Sequence, residues 1–131
     1  MDIVINPLAV ALAALSTFII GGLWYSLLFA TRWQRAAGVT DETLRSGSAR
    51  VFIGSFSLAL VMAASLAAFI GSGGTVFGTS AGFAVGVTWV TAAFGINYLF
   101  ERRPVSLFLI NASYNIVAFT IMGAIIGAVQ G

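Results

Sequence analysis

The sequence predicts an all-α integral membrane bundle of four transmembrane helices with both termini outside. Two observations carry that expectation. The first is charge placement. The ten charged residues fall in three patches: Asp2 alone; Arg32, Arg35, Asp41, Glu42, Arg45 and Arg50; and Glu101, Arg102 and Arg103. No charge interrupts Ile3–Thr31, Val51–Phe100 or Pro104–Gly131. Hydrocarbon excludes charge and admits only helices or closed barrels, which satisfy their own backbone groups. The second is composition. The 131 residues are 60% hydrophobic and 8% charged, against about 25% charged in a soluble domain. A soluble domain this small could not hide so much apolar surface.

One transmembrane domain, 1–131, accommodates four spans at about 7–29, 51–70, 77–100 and 104–129, with a cytoplasmic loop at 30–50. The first span opens at Asn6-Pro7. Asn is a good N-cap, and Pro costs nothing at a first helical position, where its missing N–H would be unpaired anyway. No Lys or Arg precedes Arg32, so this span reads as retained and not as a cleaved signal peptide. In the 30–50 loop Gly38 should interrupt any helix continuing from the first span. Thr40-Asp41-Glu42 then opens a short surface helix, with a cap, two acids in the first turn and Arg45 later. This loop is either a solvated connector or a contact for a cytoplasmic or membrane protein partner or for anionic headgroups. The second span ends at Gly71-Ser72-Gly73-Gly74, a stretch suited to a helix C-terminus. Pro104 opens the fourth.

All six arginines fall on one side of this topology. The positive-inside rule assigns that side to the cytoplasm. The arginines therefore read as a topology signal and not as a nucleic-acid surface. Trp33, Tyr98 and Phe100 fall at the same interface, where aromatic rings anchor.

Helices in lipid pack where small residues let backbones approach. The first span carries Ala9, Ala13, Thr17 and Gly21. The second carries Ser55, Ala59, Ala63, Ala67 and Gly71. The third carries Gly78, Gly82 and Gly86, and the fourth Gly123 and Gly127. Such stripes serve packing within one bundle or between subunits. The Gly78, Gly82, Gly86 stripe is the candidate interface of a homo-oligomer.

Polar residues at membrane depth mark the place to look for function. Asn111, Tyr114 and Asn115 share a broad face of the fourth span. Asn97 and Glu101 lie one turn apart near the end of the third, beside Tyr98, and Trp24 and Tyr25 near the end of the first. Trp24, Tyr25, Asn97, Glu101, Asn111, Tyr114 and Asn115 are therefore the candidate polar pocket, with Glu101 at its rim. The alternative is interhelical hydrogen-bond glue. As an ion-pair partner of Arg32 or Arg103, Glu101 would pin helix ends. A faint echo links Gly22-Leu23-Trp24-Tyr25 with Gly95-Ile96-Asn97-Tyr98, as an internal repeat would.

The chain has no Cys, His or Lys. Disulfides, thiolate metal sites and the usual neutral-pH proton shuttle are therefore missing. With no close carboxylate pair in the membrane either, the expectation is no enzyme and no cofactor. Two roles remain: a transporter or channel subunit for a small solute, using the polar cluster, or a non-catalytic scaffold or accessory subunit of a larger complex.

Two segments resemble the signatures of a bacterial membrane family, domain of unknown function 1761. They are Gly21–Trp33, GGLWYSLLFATRW, and Asn97–Phe119, NYLFERRPVSLFLINASYNIVAF. The family pattern has Pro after the Trp-Tyr-Ser triplet, where this chain has Leu27. The resemblance implies a small four-helix, multi-pass protein of the bacterial inner membrane and no particular activity. It places signature positions on Trp24, Tyr25, Asn97, Glu101, Arg103, Asn111 and Tyr114.

Overall fold

The computed structural model describes residues 3–131, so Asp2 lies outside the described residues. The elements are α1 (Pro7–Gly22), a π turn (Leu23–Leu28), α2 (Ala30–Ala37), α3 (Asp41–Arg45), α4 (Ser48–Ile70), α5 (Gly74–Val85), a second π turn (Gly86–Val90), α6 (Thr91–Glu101) and α7 (Val105–Gln130). The fold is all-α, with no strand among the described residues. Four continuous helices are long and apolar enough to cross a membrane: Pro7–Leu28, Ser48–Ile70, Gly74–Glu101 and Val105–Gln130.

Local chemistry sets most of the ends. Asn6 Oδ1 accepts from the N–H groups of Leu8 (2.8 Å) and Ala9 (3.2 Å), which caps α1. Gly38 adopts φ +71° and ends α2. That left-handed conformation costs glycine little, because it has no Cβ to clash. Thr40 caps α3 through the N–H of Thr43 at 3.2 Å. Gly71, at φ +56°, ends α4. Two starts come earlier than the apolar runs implied, at Ser48 and Gly74, because helix geometry continues into flanking small and polar residues that the bilayer does not require. Pro104 differs in the other direction. It is extended (ψ 145°) and stands before the helix, its carbonyl accepting from Leu107 N–H at 3.1 Å.

The fourth span, α7, is the most buried of the four and touches the other three. On one side α1 and α4 close against it around Ala9, Ala13, Ala59, Ala63, Ala67, Met122 and Ile126, all buried. Apart from exposed Ser55, the small-residue ladders of the first two spans thus face inward. At the terminal end, Gln130 ties three spans together. Its Oε1 accepts from the Asn6 N–H at 2.8 Å, and its Nε2 donates to the carbonyls of Ala67 (3.2 Å) and Gly71 (2.8 Å). The arginine-bearing connections lie at the opposite end.

On its other side α7 receives the third span, and this corrects the oligomer-interface expectation. Gly78, Gly82 and Gly86 pack within the chain. A Cβ on Gly78 would strike the Gly123 carbonyl, one on Gly82 the Phe119 carbonyl, and one on Gly86 would lie 3.0 Å from Ile116 Cα. Gly123 and Gly127 answer from α7 against the carbonyls of Gly78 and Gly74. Two GxxxG motifs therefore face each other inside one chain, and neither stripe is free for a partner.

Candidate functional site

Most of the predicted polar cluster assembles at the arginine end, bonded partly to each other and partly to backbone carbonyls of neighbouring helices. Tyr25 Oη donates to Asn111 Oδ1 at 2.6 Å. Asn111 Nδ2 donates to Tyr98 Oη at 2.7 Å. One amide thus joins the first, third and fourth spans. Trp24 Nε1 donates to the Ile110 carbonyl at 3.1 Å, and Tyr114 Oη donates to the Thr17 carbonyl at 2.9 Å. Asn115 turns back on its own helix, donating to the Asn111 carbonyl at 2.8 Å. The rings reinforce the clasp: Tyr25 lies edge-on to both Tyr114 (5.2 Å) and Trp33 (5.1 Å). No buried side-chain nitrogen or oxygen among the described residues lacks a hydrogen-bond partner.

Two expected members stay outside. Asn97 is exposed on the outer face of the third span. Glu101 is also exposed and pairs only with Arg103 Nε, at 3.5 Å. The π turn at Gly86–Val90 explains both. From Gly86, three α-helical turns of about 3.6 residues end near position 97. The π turn spends one extra residue and rotates everything beyond it by one position. Tyr98 therefore takes the inward place that regular periodicity gives to Asn97, and Glu101 moves out with Asn97.

The weak echo between the ends of the first and third spans acquires a physical meaning. Its two tyrosines, Tyr25 and Tyr98, meet on the two ends of the same Asn111 amide. The Gln130 tie has no comparable signal in the sequence, because it uses backbone carbonyls.

Beside the clasp, a cleft of about 190 Å³ runs between α6 and α7. Gly95, Tyr98, Leu99, Pro104, Val105 and Phe108 line it, and Arg103, in the turn between the two helices, lies at its mouth. Of these residues, Leu99 and Val105 are more than 70% exposed. A second, open groove lies on the outer face of the third span, along Val85, Trp89, Ala93 and Asn97. No group of acidic side chains among the described residues could hold a metal ion.

No curated protein and no solved structure matches the chain. A family model described as "Protein of unknown function (DUF1761)" matches residues 8–127. That match takes in all four long helices and both aromatic and Asn/Arg segments of the clasp, and the chain belongs to the DUF1761 family.

Proposed function

We propose that this protein is a non-catalytic scaffold or accessory subunit of the bacterial inner membrane, with its termini outside, its arginine end in the cytoplasm, and a second copy of itself as one partner. The observation that carries the reading is that Trp24, Tyr25, Asn111 and Tyr114 each hydrogen-bond to a neighbouring helix. A solute site needs polar groups with capacity to spare. Here they are spent on holding three helices together, as buried polar side chains in membrane bundles commonly are. The sidedness rests on the six arginines at one end. The lack of Cys, His and Lys argues against catalysis.

The transporter or channel reading requires water to reach the cluster. Asn115→Cys tests it directly, because the chain has no cysteine of its own. In native membranes a water-soluble maleimide should leave Asn115→Cys unlabelled while labelling Arg45→Cys in the exposed loop. Rapid labelling of both would restore the transport reading.

The third span supplies the surface for self-association. It is the least buried of the four. Trp89 is 75% exposed halfway along it, far from the interfacial belts where tryptophan is comfortable in lipid. Neither its indole N–H nor the Asn97 amide has a hydrogen-bond partner among the described residues. In a two-fold dimer about the membrane normal, Asn97 meets its counterpart at the same depth. A carboxamide both donates and accepts, so the pair is self-complementary. Under oxidation in native membranes, Ala93→Cys should give a disulfide-linked dimer. Val61→Cys, exposed on the second span, should not. Equal yields from the two variants would exclude this interface.

A further inference from the structure

We infer that the cleft between α6 and α7 is a binding site for one anionic phospholipid, its phosphate on Arg103 and one acyl chain along Gly95, Leu99, Val105 and Phe108. The inference is independent of the scaffold reading, since lipid can occupy this place on a transporter or a scaffold alike.

Three features converge. The first is the shape of the turn between the third and fourth spans. Arg102 takes the left-handed conformation, φ +59°, alone among described non-glycine residues. It spends its guanidinium on the helix end, donating to the carbonyls of Leu99 (3.4 Å) and Phe100 (3.2 Å). The turn then fixes its neighbour. The Arg103 N–H donates to the Tyr98 carbonyl at 2.9 Å, which holds Arg103 over the cleft mouth.

The second is the charge at that mouth. Among the described residues the only acid paired with Arg103 is Glu101, at 3.5 Å between exposed side chains. A pair so long and exposed is weak. A phosphate, with oxygens matched to the guanidinium fork, competes well for it.

The third is the lining. Apart from Arg103 and Tyr98 the walls are hydrocarbon. A positive mouth beside apolar walls matches the phosphate and the acyl chain of a phospholipid. Soluble phosphate would satisfy only the first of them.

The test is native mass spectrometry of the full chain in a mild non-ionic detergent, titrated with phosphatidylglycerol or phosphatidylcholine. The wild type should retain one phosphatidylglycerol, at a concentration at least about tenfold below that for phosphatidylcholine, since roughly each 1.4 kcal/mol of headgroup contact is tenfold in affinity. Arg103→Gln should abolish the preference. Arg50→Gln, at the same end but away from the cleft, should keep it, which separates a built site from diffuse attraction to arginine. Gly95→Val should weaken both lipids, because a Cβ there already comes within 3.3 Å of Phe108 Cε1. Equal retention of the two lipids by the wild type would overturn the proposal, and so would an unchanged preference in Arg103→Gln. Full displacement of the lipid by millimolar inorganic phosphate would also overturn it, by showing an anion site with no acyl component.

Discussion

Gly82→Ala lowers the thermal midpoint of the purified protein, and Gly82→Leu prevents the third and fourth spans from docking. At this position the obstacle is backbone. A Cβ on Gly82 would overlap the Phe119 carbonyl and crowd Thr120 Cα at 3.2 Å. A flexible side chain could rotate away, but a helix backbone can yield only by moving the whole helix. Overpacking of a close-packed interior usually costs about 1–3 kcal/mol, and a methyl group against a carbonyl should fall in the upper part of that range. Leucine would separate the helices along their shared face. Gly54→Ala is the matched control, since a Cβ there meets nothing within 4 Å. It should be neutral or slightly stabilising, because alanine is the better helix former. Equal effects at Gly82 and Gly54 would mean that the two GxxxG faces do not meet. Gly123→Ala attacks the same face from α7, so its effect combined with Gly82→Ala should be less than additive.

The second large effect is expected at Asn111. Asn111→Leu removes both bonds of the amide and strands the Tyr25 hydroxyl proton in a half-buried place. Interhelical hydrogen bonds in membranes average about 0.6 kcal/mol each, and a stranded donor adds a desolvation cost of about 1 kcal/mol or more. A loss of roughly 2 kcal/mol is therefore expected, read as a shifted unfolding curve in mixed micelles. Tyr25→Phe tests the mechanism. The effects of Tyr25→Phe and Asn111→Leu should couple in a double-mutant cycle, whereas Asn97→Leu and Asn111→Leu should simply add. Coupling to Asn97, or none to Tyr25, would show that the clasp is misassigned.

These two sites also mark how far the sequence could be read. Charge exclusion located four spans, and Asn6, Gly38, Thr40 and Gly71 announced their helix ends, because such signals are local. Trp24, Tyr25, Asn111 and Tyr114 were legible as a cluster because polar groups at membrane depth have few places to go. Asn97 and Glu101 were misplaced because helical arithmetic assumes a constant turn, and a single π turn breaks it. Nothing in Gly86–Val90 advertises that turn. The glycine stripe was recognised as an interface but given the wrong partner. A GxxxG run states how closely a helix can be approached and is silent on which helix approaches. Gln130 left no mark, since the carbonyls it binds belong to any sequence.

The lopsided burial of the third span bears on the order in which the chain is built. Its glycine face has one mate, α7, which emerges later from the ribosome and is joined to it by the short turn around Arg102–Pro104. Until that mate is inserted, the third span sits in lipid with a bare, weakly hydrophobic face and no stable neighbour. The first and second spans can pair through their alanine ladders beforehand. Biogenesis therefore divides into an early hairpin and a later one, and the fourth span completes both halves. A ribosome-bound chain truncated before Val105 should hold the first hairpin protected and the third span open to capture by insertion factors.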